Sequence, residues 1–341
     1  MSDRPASAAM TGPRRPSPWV LYGGLLVLSL GLPQVVPALA TQLAFLWVMV
    51  LFALTWDLLG GQMGYNSFGN IVFFGVGAYV CAVVQRDSGL GYSAGLAVGM
   101  AAGAGVAVAF AALLGSGLLG LRGHYFAIAT RGLGVAAGEI AAGIDYIGAG
   151  SGMVTPVYPG EIETRSQVFY YIFFALAAAT FFTLRWLYSR QFGLAVRAIR
   201  DNEDKAEAIG LHTTRYKIAA WCVSAFFLAL CGGALGNLVG FIDPRDVAFA
   251  ASTYGVWMVL MAILGGSASI WGPVLGAVVF HITQELFWTY LLGWQRVALG
   301  LLIVLIVVFF PQGITGWLRE RWPQLFGQVV QQGAGDPGDA A

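Results

Sequence analysis

The sequence predicts an all-α polytopic membrane protein of about ten transmembrane helices, some broken or re-entrant, with one charged cytoplasmic helix between its two halves. Three observations carry that prediction. Of 341 residues, 58% are hydrophobic and only 10% charged, with mean hydropathy +0.73, whereas a soluble domain carries about 25% charge. Apolar runs of about 20 residues recur along the chain, matching a hydrocarbon layer of about 30 Å. The longest charged run, Ser189 to Lys217 (SRQFGLAVRAIRDNEDKAEAIGLHTTRYK), is flanked on both sides by such apolar runs.

Taken in order, residues 1–18 are small, polar and proline-rich, and Arg14 and Arg15 stand just ahead of the first apolar run. This is the pattern of a short cytoplasmic tail. The same run, followed by Ala38-Leu39-Ala40, also imitates a cleaved signal peptide, and either alternative leaves the later topology unchanged. Spans are expected near Val20–Leu39, Gln42–Leu59, Phe68–Val84, Ala94–Leu114, Tyr125–Ile144, Val168–Tyr188, Tyr216–Gly240, Thr253–Leu264, Pro273–Leu292 and Val297–Phe310. Those near Phe68 and Thr253 are short enough to be re-entrant or broken. The chain thus divides into an N-terminal tail (1–18), a transmembrane domain (19–318, including the 189–217 loop) and a C-terminal tail (319–341).

Orientation follows from the bias of Lys and Arg toward cytoplasmic loops. With the N-terminus inside, Arg122, the run from Arg185 to Lys217, and Arg319 with Arg321 all fall inside. The opposite loops hold only Arg86, Arg165, Arg245 and Arg296. Both termini and the charged run are therefore expected in the cytoplasm. The span near Ala94 carries Gly95, Gly99, Gly103, Ala107, Ala111 and Gly115, a small residue at every fourth position. Such a stripe lets a neighbouring backbone approach closely.

Composition also narrows the chemistry. A net charge of +1 gives no reason to expect nucleic acid. Cys81, Cys222 and Cys231 are odd in number, lie in apolar segments and lack metal spacing, so they are packing residues. The two lysines, Lys205 and Lys217, do not end a phosphate loop, so no nucleotide-binding motor is encoded. No catalytic residue, metal or cofactor is expected; His281 and Glu285, four residues apart, suit a packed or pore-lining polar pair better than a metal site. Asp57, Arg131, Glu139 and Glu285 are charges within apolar spans, which face a bundle interior or a wet cavity. For Arg131 and Glu139, a structural ion pair and a place on a substrate path are equally open.

Two Gly-rich interruptions, Gly60 to Asn70 and Leu264 to Pro273, follow apolar helices. Irregular backbone at membrane depth is tolerated only where it lines a cavity or is buried in protein. Asn66, Ser67, Asn70, Arg131, Glu139, Gly265 and Gly266 are accordingly the candidates for a substrate path or its gates. The charged run itself reads as a helix. Ala195, Ile199, Ala206 and Ile209 keep helical spacing, Arg197 with Asp201 and Arg200 with Asp204 stand at i and i+4, and Gly210 provides a stop. A charged helix with a thin apolar stripe suits docking into a cleft of another protein; a solvated loop that only sets topology is the alternative.

The run Gly193 to Gly210, followed by Tyr216-Lys217, resembles the cytoplasmic loop of the branched-chain amino acid ABC transporter permeases, M-type subunit. Gly64 to Tyr79, Leu121 to Ile128, and Leu264 to Gly276 with Phe309 to Gly313 are similar to further stretches of that family, so the resemblance covers roughly residues 45–318. It implies an importer of the bacterial inner membrane. A periplasmic or extracellular solute-binding protein would deliver solute, a second permease subunit would complete the path as a heterodimer in the lipid bilayer, and ABC ATPase subunits would drive it. Arg197, Ala198, Arg200, Asn202, Glu203, Ala206, Glu207 and Gly210 would then lie on the ATPase-docking loop, with the charged segment as coupling helix. The chain departs from the family where Arg131 and Gly132 follow Thr130, where Val135 takes an expected acidic place, and where Asn70 stands for a His or similar residue. The departures touch the expected path, so leucine, isoleucine and valine, or urea, short amides and other amino-acid-like solutes, remain the alternatives. From a different class, an ion-coupled secondary carrier would use Asp57, Arg131, Glu139 or Glu285 as its relay.

Overall fold

The computed structural model describes residues 18–321, apart from 267–268, 292, 295–296, 298–299, 302–303 and 305–312. The N-terminal tail, residues 322–341 and most of the span expected near Val297–Phe310 lie outside the described residues. The other expected spans correspond to helices: α1 Pro18–Val35, α2 Ala40–Leu59, α3 Ile71–Asp87, α4 Tyr92–Leu118, α5 Gly123–Ala142, α6 Ile162–Tyr188, α9 Thr213–Val239, α10 Tyr254–Gly265 and α11 Trp271–Tyr290. Between α6 and α9 lie α7 Gln191–Asp201 and α8 Glu203–Ala208, and α12 Gly313–Arg321 closes the described chain.

Length separates these helices into two kinds. Pro37–Leu59, Tyr92–Leu118, Ile162–Tyr188 and Thr213–Val239 are long and apolar enough to cross a membrane, and α5 with the turns at Asp145–Ser151, bent by 88°, makes a fifth if counted as one span. By contrast α10 has 12 residues, only about 18 Å at 1.5 Å per residue. The chain is thus an all-α, multi-pass membrane protein in which short helices accompany full-length ones.

Packing is organised on α2 and α9. The first lies against α6, α9, α10 and α11, and the second against α3, α4, α2 and α6. Small residues permit these approaches. The α4 stripe Gly95, Gly99, Gly103, Ala107, Ala111 and Gly115 is buried throughout, and α4 faces both α3 and α9. A Cβ on Gly77 of α3 would overlap the Ala229 backbone of α9, and one on Gly232 of α9 would overlap the Phe74 carbonyl of α3. A similar backbone contact closes the α10–α11 hairpin, where Gly265 lies against the Gly272 carbonyl, Gly266 turns at φ +91°, and Thr315 of α12 donates to the Gly265 carbonyl at 2.7 Å.

Two ends of the bundle are defined by contacts between its connections. At one end Tyr65, Leu119, Arg122, Glu203 and Lys217 converge. At the other, Met153–Val154 pairs antiparallel with Phe241–Ile242, Arg86 donates to the Tyr146 carbonyl at 2.9 Å, and Tyr92 donates to Asn237 at 3.0 Å. Alternate connections from α2 to α9 thus gather at opposite ends, as chain crossings require.

Candidate functional site

The charged run folds as two helices rather than one. Asn202 adopts an extended conformation (φ −166°, ψ 108°) and its Oδ1 accepts from the Lys205 amide at 2.9 Å, so it ends α7 and caps α8. Asn is suited to this place because its side chain satisfies an orphan amide of the first turn. Gly210, at φ +90°, then turns the chain toward α9. Because of the break, Asp204 does not pair with Arg200. Instead Arg122 binds Asp204 at 2.6 Å, while Arg200 lies 3.5 Å from Asp201.

The apolar stripe is also spent differently from the sequence expectation. Ala195, Val196, Ile199 and Ala206 are buried against the protein's own bundle. What remains outward is Leu194, 68% exposed, and Ile209, 81% exposed, together with Arg197, Arg200, Asp201, Asn202, Glu207 and Gly210; Ala198 is half-buried. Beside them is a cleft of about 510 Å³ lined by Glu207 and residues 210–215. Glu207 itself accepts from the Thr213 hydroxyl at 2.6 Å, which fixes α8 to the start of α9.

Glu203 faces inward. Its side chain is 10% exposed and binds Lys217 at 2.6 Å, the Tyr65 hydroxyl at 2.5 Å and Arg122 at 3.4 Å. Lys217, 3% exposed, also donates to the Leu119 carbonyl at 2.7 Å and to Tyr65 at 3.1 Å. Burial alone would raise the Glu203 carboxyl; hydrogen bonds from Lys217 and Tyr65, and the charges of Lys217 and Arg122, bring it below the ordinary glutamate value. The same burial, with the Glu203 charge beside it, pushes the Tyr65 phenol up. This cluster joins three connections, those after α2, α4 and α7. Sequence reasoning missed Tyr65 and the internal role of Lys217; the available signal was a lysine placed inside the start of an apolar span.

From Tyr65 the chain re-enters the bundle. Ser67 is buried and its carbonyl accepts from the Trp56 indole at 2.7 Å, Asn70 is buried and accepts from the Trp221 indole at 3.0 Å, and Asn66 is exposed. The Phe68 amide donates to the Thr130 hydroxyl at 3.2 Å. A Cβ on Gly69 would overlap the Thr130 carbonyl, and Gly134 lies against Ala251. So the irregular stretches 60–70 and 243–253 both pack on one face of α5, formed by Phe126, Thr130, Gly134 and Gly138.

The candidate charges of α5 lie outside its buried face, Arg131 at the edge beside the 243–253 stretch, and the structure separates them. Arg131 and Glu139 do not pair: Glu139 is held by Arg245 through two bonds, at 2.9 and 2.8 Å, at the end away from Glu203. Eight residues of α-helix place their side chains about 12 Å apart along the axis. Arg131 is exposed, with Nη2 3.5 Å from the Ser252 hydroxyl and no carboxylate partner among the described residues. Two further polar candidates lie inside the bundle, and Glu285 is half-buried on α11. Asp57 is buried and accepts from Gln62 at 3.1 Å, and His281 is buried with Nε2 3.0 Å from the Gln42 carbonyl. Among the described residues no group of three His, Cys, Asp or Glu side chains is placed to hold a metal. Gly265 lies in the α10–α11 contact described above, where backbone proximity demands glycine, and Gly266 turns beside it at φ +91°.

Because the Glu139–Arg245 pair is more than half exposed, Glu139→Gln is expected to leave the thermal unfolding midpoint within about 2 °C of wild type, as isolated exposed pairs contribute little. Thermal unfolding of the detergent-solubilised chain checks this; a large drop would show that the pair closes the α5 end.

Full-length apolar helices, glycine-mediated backbone contacts and irregular segments packed inside the bundle define a polytopic helical membrane protein of the architecture that transporters use. The chain belongs to the family described as the permease component of branched-chain amino acid transport systems, whose family model matches residues 38–309. It is 27% identical over 327 residues to the high-affinity branched-chain amino acid transport system permease protein LivM of Escherichia coli K12, covering 87% of this chain and 75% of that one. It is also 30% identical over 161 residues to LivH of the same organism (47% and 50%), and 26% identical over 192 residues to a probable LivM of Methanocaldococcus jannaschii (50% and 53%). No solved structure matches the chain.

Proposed function

We propose that this permease subunit works in an ABC importer of the bacterial inner membrane and conducts branched-chain amino acids, or a related small amino-acid-like solute, into the cytoplasm. Ten crossings, with both tails and the α7–α8 segment cytoplasmic, fit the Lys and Arg bias and the observed sorting of connections to two ends. Separate ATPase subunits drive it, a second permease subunit, LivH-like beside a LivM-like chain, completes the path, and a binding protein outside delivers solute. The similarity to the two proteins named for branched-chain amino acid transport supports the substrate class.

The observation that carries the mechanism is the join at Glu203. The outward face of α7–α8, with Leu194, Arg197, Asn202, Glu207, Ile209 and Gly210, is the ATPase-docking surface. Glu203 and Gly64–Arg200 contacts fasten that surface to the 60–70 segment, which includes the gate candidates Asn66, Ser67 and Asn70. ATP-driven movement of the motor pair shifts the α7–α8 segment and, through it, the populations of inward-open and outward-open states. Arg131 lies on the path. Arg197→Glu is expected to leave insertion and unfolding midpoint unchanged while reducing recovery of the ATPase subunits at least tenfold, since the side chain is exposed and reversal of a docking charge opposes association. Co-purification from the native membrane measures this, and full recovery of the ATPase with the variant would count against docking by this face.

A further inference from the structure

Arg131 stands near the middle of α5, roughly 12 Å from one helix end and about 16 Å from the other at 1.5 Å per residue. At that depth a guanidinium facing lipid is costly, and such charges face a bundle interior or a water-filled cavity. It is outward, it has no carboxylate partner among the described residues, and the nearest acid on its helix, Glu139, is held by Arg245. The surface around it is not uniformly apolar: Ser252, whose hydroxyl is 3.5 Å from Nη2, and Thr253 are both exposed on the irregular stretch before α10. One turn away on either side are Ile128, 70% exposed, and Val135, 49% exposed. A fixed cation with a hydroxyl beside it, between aliphatic side chains, matches a small aliphatic carboxylate.

We propose that Arg131, with Ser252 beside it, is the point on the conduction path that binds the carboxylate of the transported solute, while Ile128 and Val135 meet its aliphatic side chain. A guanidinium offers a planar pair of donors to a carboxylate. Among the described residues no carboxylate is placed beside Arg131, and Glu139 is held by Arg245, so this site would recognise the solute through its carboxylate end. The inference rests on the permease function proposed above and specifies the chemistry of its path.

The test uses the complete transporter with its binding protein in liposomes, supplied with leucine, leucinamide or urea, and compares the wild-type chain with Arg131→Leu and Arg131→Lys. Leucine uptake is expected to fall about tenfold or more in Arg131→Leu and to be partly kept in Arg131→Lys, with the ATPase and second permease subunits still co-purifying. Wild-type leucine uptake in Arg131→Leu would overturn the inference. So would loss of the second permease from that variant, which would make Arg131 an intersubunit ion pair. ATP-dependent uptake of urea or leucinamide but not leucine by the wild-type complex would overturn the carboxylate site while leaving the permease function standing. Uptake by the chain alone, driven by an ion gradient without ATP, would overturn both.

Discussion

Glu203→Lys is expected to prevent the subunit from accumulating in the membrane at all. The substituted ammonium would sit beside Lys217, whose side chain is 3% exposed and whose Nζ is now 2.6 Å from the carboxylate it would lose. Tyr65 and Arg122 would lose the same acceptor. Removing one partner of a buried ion pair costs about 3–5 kcal/mol, because the other charge is left uncompensated, and a like charge in its place adds repulsion. That is a large share of the roughly 5–15 kcal/mol that holds a typical domain folded. Glu203→Gln keeps an acceptor and should be milder, and Glu203→Leu combined with Lys217→Met removes both charges and should recover part of the loss. Membrane level and thermal unfolding midpoint of the three variants check the order; normal accumulation of Glu203→Lys with an unchanged midpoint would contradict it. The pair is also pH-dependent in a definite direction. With the folded carboxyl held below the ordinary glutamate value, its contribution is complete above that ordinary range and is lost as pH falls through the depressed folded value.

This expectation changes how loss of transport should be interpreted. From the sequence, Glu203 belongs to a docking face, and charge reversal there would be expected to spare folding. The structure turns Glu203 inward, so a transport defect in Glu203→Lys would report misfolding before it reported docking. Arg197, exposed on α7, separates the two effects. The same geometry gives the cluster its mechanical interest: one carboxylate joins α8 to Tyr65, and Tyr65 begins the stretch whose Ser67 and Asn70 are anchored by Trp56 and Trp221.

Much of the fold was legible because helices in a bilayer announce themselves through local composition. The span limits near Gln42–Leu59 and Tyr216–Gly240 agree within three residues with α2 and α9, since apolar length alone sets them. The α4 stripe was equally legible, because a four-residue spacing of small side chains is a face of one helix and needs no knowledge of its neighbour. Partners were not legible. Helical spacing offered Asp204 to Arg200, yet Asn202 breaks the helix and Arg122, far away in sequence, takes Asp204. Arg131 and Glu139 look like a pair along one helix, yet Arg245 from a distant turn claims Glu139. The apolar stripe of the charged run pointed to a surface for binding, but a stripe has no label for what covers it, and here the bundle does. Periodicity reports which face is apolar, while the identity of the covering surface depends on tertiary contacts.

Gly77→Val is expected to be as damaging as charge reversal at Glu203, and for a reason that has nothing to do with charge. Helices in lipid gain little from burying apolar side chains against one another, since the surrounding acyl chains are equally apolar. Their association depends instead on dispersion contacts between closely fitted surfaces, and α3 and α9 obtain these by bringing backbones together. At Gly77 the obstructing atoms are the Ala229 backbone, and at Gly232 they are the Phe74 carbonyl and the Ala78 amide. Neither can rotate away, as a flexible side chain could. Valine at either position therefore forces α3 and α9 apart along the whole contact, and α4 with them, because Gly103 of α4 also rests on the Gly77 backbone. Overpacking of an ordinary core costs about 1–3 kcal/mol, and separation of three helices should exceed that range. Gly105→Ala supplies the comparison: it lies in the same α4, but a Cβ there meets nothing within 4 Å, so better helix propensity without a clash should leave stability equal or slightly raised. If Gly77→Val and Gly105→Ala gave the same unfolding midpoint and the same membrane level, close backbone packing between α3 and α9 would not be what holds this bundle together.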